Sequence, residues 1–251
     1  MLSRDNNDFR PDPMPARGLF VWGLERVVQP EELNGRQLRT ETSGLPDKSD
    51  KLTSYAIGID IGAKHDRTAL AVIELRYRGD EGHFLVRYLK RLHRGILFGD
   101  VATQVKRLVE ELRKEGTKDG GRVDLTILTD ATGVGAPVAE MIAKALPLED
   151  VRTVFITGGY TARFEGSDVY LPKGLLVSNL VALFESNRIY LSKHSKELSA
   201  LIDELANFEV QVSAETGNES YNARTWRYDD LVTALGLASW WGEYSRPALL
   251  W

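Results

Sequence analysis

Cysteine is missing from all 251 residues of the chain. Disulfides, thiolate catalysis and sulfur-ligated metals are thereby excluded, so a metal site would have to be built from carboxylates or from the four histidines. Such donors suit hard cations. Long apolar runs are missing as well. Nothing approaches the roughly eighteen apolar residues of a membrane helix, and the N-terminus lacks the charged-then-apolar pattern of a secretion signal. No membrane partner is expected, and the cytoplasm is the expected location. Neither sign of charge dominates: 32 Lys and Arg stand against 36 Asp and Glu, a net charge of -4. That balance argues against coating nucleic acid through bulk positive charge, while leaving room for a local basic strip. A hydrophobic content of 43% is enough for one substantial core.

Residues 1–52 hold five of the nine prolines, Pro11, Pro13, Pro15, Pro30 and Pro46, among many polar residues. They read as an N-terminal arm or linker, partly flexible, in which only Gly18 to Val28 is apolar enough to dock. Residues 53–251 read as a single domain. Ile57 to Leu75 reads as a hairpin, and Gly82 to Leu92 adds a third antiparallel strand. Phe98 to Glu115 has helical spacing at Val101, Val105, Leu108, Val109 and Leu112. A β-α-β unit follows: a strand at Val123 to Leu128 running into Asp130, a helix from Pro137 to Leu146, and a strand at Arg152 to Thr157. Tyr160 to Tyr170 is expected to be a loop. Beyond it come a helix at Pro172 to Ser186, a short strand at Arg188 to Leu191 and a helix at Lys196 to Ala206. A hairpin around Gly217-Asn218 and an apolar helix from Asp229 to Trp241 close the chain. The expected class is α/β, a mixed sheet of antiparallel hairpin strands and parallel strands, flanked by helices.

Three acidic positions stand out in this framework. Asp60 lies inside an apolar strand, Asp130 ends another, and the Asp229-Asp230 pair opens the last helix. A buried carboxylate needs a partner, often a metal. Clustered carboxylates repel unless a divalent cation neutralises them, which points to Mg²⁺ or Mn²⁺. Two such ions about 3.5–4 Å apart can activate water against a phosphodiester. Bland readings also fit each residue alone: Asp229 and Asp230 as helix caps, Asp130 as the start of a turn, and Asp66 as a loop acid. The strip Arg87, Lys90, Arg91, His93 and Arg94 fits either phosphate contact or a solvated strand face. Arg163 and Lys173 flank the Tyr160 to Tyr170 loop, and Lys64 lies in the turn after Asp60. Trp240, Trp241 and Trp251 fit core or interface anchors better than base-stacking platforms.

Four stretches, in order, resemble the nuclease domain of phage large terminase subunits, a ribonuclease-H-like and RuvC-like fold. GIDIGAKHDRTALAV resembles its first metal-binding strand, with Asp60 as the acid and Asp66 in the adjacent aspartate position. ILTDATGVGAPVAEMI resembles the second motif, which assigns that role to Asp130. Tyr170 to Val210 resembles the intervening helix, short strand and helix, and YDDLVTALGLA resembles a closing His-Asp-Asp-Leu-Val motif. The resemblance runs from about residue 54 to residue 241. It implies a metal-dependent endonuclease cutting double-stranded DNA during genome packaging, with two Mg²⁺ or Mn²⁺ ions held by Asp60, Asp130, Asp229, Asp230 and Asp66. By their charge and position Lys64, Arg163, Lys173, Arg91 and Arg94 are candidate DNA contacts, and for a viral or prophage gene the host cytoplasm is the expected location.

Two departures bear on that reading. Tyr228 stands where many relatives carry histidine. No Gly-x-x-x-x-Gly-Lys-Ser/Thr loop occurs, so the packaging ATPase is not encoded in these residues. A separate packaging ATPase, a portal or a small terminase subunit would then be the protein partners. Gly-Ile-Asp-Ile-Gly also resembles the first phosphate loop of actin-like ATPases and sugar kinases, but the chain is short for their two domains. A ribonuclease-H-like module that binds and assembles without cutting is the non-enzymatic alternative.

Overall fold

The computed structural model describes residues 52–63, 66–78, 80–118, 120–192, 195–206, 208–212, 219–223 and 229–245. Of the expected arm at residues 1–52 only Leu52, which opens the first strand, is described; residues 1–51, Lys64, Tyr228 and Trp251 lie outside the described residues. Among the described residues, no helix is long and apolar enough to cross a membrane.

β1 (Leu52–Asp60) is the strand on which the rest is assembled. It pairs antiparallel with β2 (Ala69–Arg78) and parallel with β4 (Arg122–Asp130), so it sits inside the sheet with helices on both faces. Its near-continuous apolar composition follows from that double burial. β3 (Glu81–Arg91) continues the antiparallel side and β5 (Asp150–Thr157) the parallel side. With β6 (Arg163–Glu165), β7 (Asp168–Pro172) and β8 (Ile189–Tyr190), the order across the eight-stranded sheet is β6-β7-β5-β4-β1-β2-β3-β8. β9 (Phe208–Val212) and β10 (Glu219–Ala223) form the expected extra hairpin ahead of the last helix.

The expected loop at Tyr160 to Tyr170 is corrected here. Arg163 to Glu165 pairs with Asp168 to Tyr170 as a hairpin, and β7 adds parallel to β5, so this segment finishes one edge of the sheet. Three-residue strands flanked by glycine carry little local signal; their pairing is supplied by β5.

Alternation along β1 divides the core. Tyr55, Ile57 and Ile59 face α1 (Phe98–Gly116) and α2 (Gly135–Ala145). Ala56 and its neighbours on β2 face α3 (Lys173–Glu185), α4 (Leu198–Ala206) and α5 (Asp230–Tyr244). α5 is apolar on every side because it is enclosed: Leu231, Val232, Ala234, Leu235, Leu237 and Ala238 are all no more than 1% exposed. Each such leucine contributes about 1.5–3 kcal/mol of burial. α5 approaches β1 most closely at Gly58, where a Cβ would stand 1.9 Å from the Ala234 carbonyl oxygen. Only glycine permits that contact, and it fixes how deeply α5 lies on the sheet.

Candidate active site

Side chains alternate along a strand, so Asp60, with Ala56 and Gly58, falls on the α5 side of the sheet. Ile59 pairs with Thr129 in parallel register, which places Asp60 and Asp130 at the same level at the carboxyl ends of adjacent strands. Asp130 likewise shares its face with Leu128, which packs against Leu237 of α5. Asp229 and Asp230 open α5 above this edge. Lys173 begins α3 directly after β7, and its Nζ donates to Asp229 Oδ2 at 2.8 Å. Four carboxylates from three distant segments therefore converge where the parallel strands end, the usual ligand edge of an open α/β sheet.

The electrostatics report that convergence. Part of Asp60 remains exposed, but its carboxyl is set deep among protein atoms. Burial first, then the charges of Asp130, Asp230 and Asp229, hold its pKa well above the ordinary 3.8. Burial also raises Asp130, against hydrogen bonds from Thr132 that favour its charged form. Asp230 is pushed up to about 6 by burial and by Asp229, with Arg91 opposing. Asp66 sits in an exposed bend and adds to the negative field on Asp230.

Asp130 does organise a turn, since Oδ1 accepts from the Thr132 amide at 2.8 Å. Thr132 Oγ1 in turn accepts from the Ile156 amide of β5 at 2.9 Å, fixing the turn against the sheet. Gly135 follows because a Cβ there would meet the Asp130 carbonyl oxygen at 1.9 Å. Helix capping fails for Asp229, whose side chain makes no cap bond. The amides of Leu231 and Val232 instead donate to Glu204 Oε2, at 2.9 and 3.1 Å. Asp230 Oδ2 is buried with no hydrogen-bond partner among the described residues.

Glu204 escaped the sequence reading. It sits on α4 in an amphipathic pattern, and its partners are 27 and 28 residues away. Its pKa is pushed up to about 7, chiefly by burial. Arg91, expected on a DNA-facing strip, turns to Glu197, with Nε 3.1 Å from Oε2, and to Glu204, with Nη1 3.5 Å from Oε1. Arg87 of the same strip pairs with the buried Glu74 at 3.1 Å. Arg94 is exposed. Arg163 lies at the sheet edge with its guanidinium 4.7 Å from the Tyr170 ring centroid. Trp240 is buried against β7 and α3, as an anchor would be.

The donor set suits a hard divalent cation: carboxylate oxygens only, one of them buried and unpartnered, with mutual repulsion that a cation would relieve. Among the described residues, no three acidic or histidine side chains stand close enough to enclose an ion as they are placed.

The terminase RNaseH-like domain family matches residues 57–239. In fold the chain is similar to the Mn-soaked human cytomegalovirus terminase nuclease domain, at 14% identity and a TM-score of 0.50, covering 86% of this chain and 94% of that one. The same viral domain, Mn-soaked and inhibitor-bound, gives 14% identity and 0.51 over the same shares. The P22 large terminase nuclease domain gives 15% identity and 0.46, over 91% of this chain and 93% of that one. No curated protein matches the chain. With a mixed sheet in ribonuclease-H-like arrangement and a family match across most of its length, the chain belongs to the terminase RNaseH-like domain family.

Proposed function

We propose that this domain is a Mg²⁺- or Mn²⁺-dependent endonuclease that hydrolyses phosphodiester bonds of double-stranded DNA, as the nuclease part of a packaging terminase. The observation that carries the reading is the meeting of Asp60, Asp130, Asp229 and Asp230 at one strand edge, close enough to raise one another's pKa. These four carboxylates would hold the cations, with Asp66 contributing from the bend. Two bound ions would supply Lewis acidity toward the phosphodiester and make water a nucleophile at neutral pH. Asp60 and Asp130 contribute rigidity, each being held at the end of a central strand. Thr132 orients Asp130 through its amide. Lys173 balances the acid cluster and holds Asp229 in place.

DNA would approach along the carboxyl edge of the sheet. Arg163 is a more distant candidate contact, since its guanidinium lies over Tyr170 on the edge hairpin, on the sheet face opposite Val154 and the acids. Arg94 and Lys64 are further candidate phosphate contacts. Arg91, engaged by Glu197 and Glu204, acts on the acids' positions rather than as a free phosphate contact. A separate packaging ATPase, portal or small subunit would deliver the DNA.

Plasmid nicking tests the reading. With Mn²⁺ the wild type should convert supercoiled plasmid to nicked and linear forms, and Asp60→Asn and Asp130→Asn should reduce the rate by about a thousandfold or more. A wild-type protein inert with every divalent cation would leave the non-cleaving module as the better description.

A further inference from the structure

An acid that opens a helix normally satisfies that helix's unpaired amides. In α5 it does not. Asp229 makes no side-chain cap bond, and the amides of Leu231 and Val232 are both taken by one oxygen of Glu204, from another helix. Asp230 is 5% exposed, and its Oδ2 has no hydrogen-bond partner among the described residues. The acids best placed to cap α5 are therefore left with acceptor capacity, and a third carboxylate does the capping.

Glu204 is also tied to the strand level that carries the other acids. Asp60 pairs with Ala69 across β1 and β2, and Ala69 pairs with Arg91 across β2 and β3. The Arg91 side chain then bridges to Glu204 at 3.5 Å and to Glu197 at 3.1 Å. A continuous path thus runs from Asp60 along one row of the sheet to Arg91, on to Glu204, and into the first turn of α5. It links the strand level of Asp60 to the turn that carries Asp230.

We propose that Glu204 is a positioning residue that caps α5 in place of Asp229 and Asp230, keeping those carboxylates off the helix amides and in register with Asp60 for a divalent cation. The assignment rests on the nuclease reading given above and adds to it a residue outside the cation's immediate ligands. Without Glu204, the α5 amides regain the nearest acceptors, the carboxylates of Asp229 and Asp230, and draw them away from the cation. Partners of this kind typically change metal affinity by about 10–100-fold.

Mn²⁺ binding to the full chain without DNA is the direct readout, followed by the electron paramagnetic resonance signal of free Mn²⁺. Glu204→Ala should weaken binding about tenfold or more. Glu204→Gln keeps an acceptor oxygen for the two amides but loses the ion pair with Arg91, and should fall between, about threefold weaker. In cleavage assays both variants should need more Mn²⁺ for half-maximal rate while the KM for DNA stays at its wild-type value. Leu112→Ala, buried in the opposite helical layer, controls for general destabilisation and should keep wild-type Mn²⁺ affinity. Should Glu204→Ala not fold, Glu204→Gln carries the same comparison. Wild-type Mn²⁺ affinity in a folded Glu204 variant overturns the proposal, as does equal weakening in Leu112→Ala. A wild type that binds Mn²⁺ but never cuts leaves the positioning role standing and removes the nuclease reading; a wild type that binds no Mn²⁺ removes both.

Discussion

Lys173 Nζ lies 2.8 Å from Asp229 Oδ2, joining the start of α3 to the start of α5 across the acidic edge. The pair is about a quarter exposed on each side, so its own strength is modest, but it also offsets repulsion within the acid cluster. Lys173→Met should lower the stability of the metal-free protein by on the order of 1 kcal/mol. Saturating Mn²⁺ should restore most of that loss, because the cation takes over the lysine's electrostatic role. Thermal melts with EDTA and with Mn²⁺ check both halves.

Removing charge from Asp60 should have the opposite effect. Asp60→Asn keeps the shape and removes a carboxylate disfavoured by burial and by three acidic neighbours. The metal-free variant should be more stable than wild type at neutral pH, by about 1–3 kcal/mol, while losing Mn²⁺-induced stabilisation. Urea unfolding in EDTA measures the gain. A variant less stable than wild type would show that Asp60 holds the fold together rather than straining it.

Acidity should reveal the same strain. Asp230 and Glu204 have folded pKa values raised to about 6 and about 7, from 3.8 and 4.5. Their contribution to stability is complete below the unfolded values and is lost as pH rises through the folded ones. In the metal-free protein these two groups therefore lower stability between about pH 4 and pH 7. His83, lowered by burial from 6.5, works the other way, contributing stability above that value that is lost as pH falls. The difference between wild type and Asp230→Asn isolates the acid. In EDTA, the variant's advantage should grow from near zero at pH 4 to on the order of 2–3 kcal/mol at pH 7.

Two glycines should respond in opposite directions to the same substitution. Gly58→Ala places a methyl against the Ala234 carbonyl oxygen and must lift α5 off β1, which carries the Asp230 carboxylate away from Asp60. A loss of about 3 kcal/mol or more and of cleavage is expected. Gly99, in the first turn of α1, has open space around its missing Cβ, so Gly99→Ala should raise stability by up to about 1 kcal/mol. Chemical denaturation of both variants provides the comparison.

Much of this architecture was legible because its signals are local. The apolar runs of β1 and β4, the helical spacing of α1 and the apolar run of α5 each lie within one segment, and the two acids at strand ends stood out against apolar surroundings. The short hairpin β6 to β7 left no such trace: its strands exist because β5 offers an edge, and Arg163 to Glu165 has no periodicity of its own. Arg91 reads in sequence like its basic neighbours, and only the arrival of α4 turns it inward.

The sequence by itself determined which chemistry to expect. With no cysteine, and with acids at the ends of two strands and at a helix start, a hard-cation carboxylate site was the reading these residues favoured. The tertiary structure decided which acids are available for it. Asp229 and Asp230 at a helix start are ordinary caps by every local rule, yet the amides of Leu231 and Val232 are taken by Glu204, 27 residues from Leu231. Capping competes for the same lone pairs as metal binding. Which acid wins depends on distances across the fold, and local sequence does not contain them.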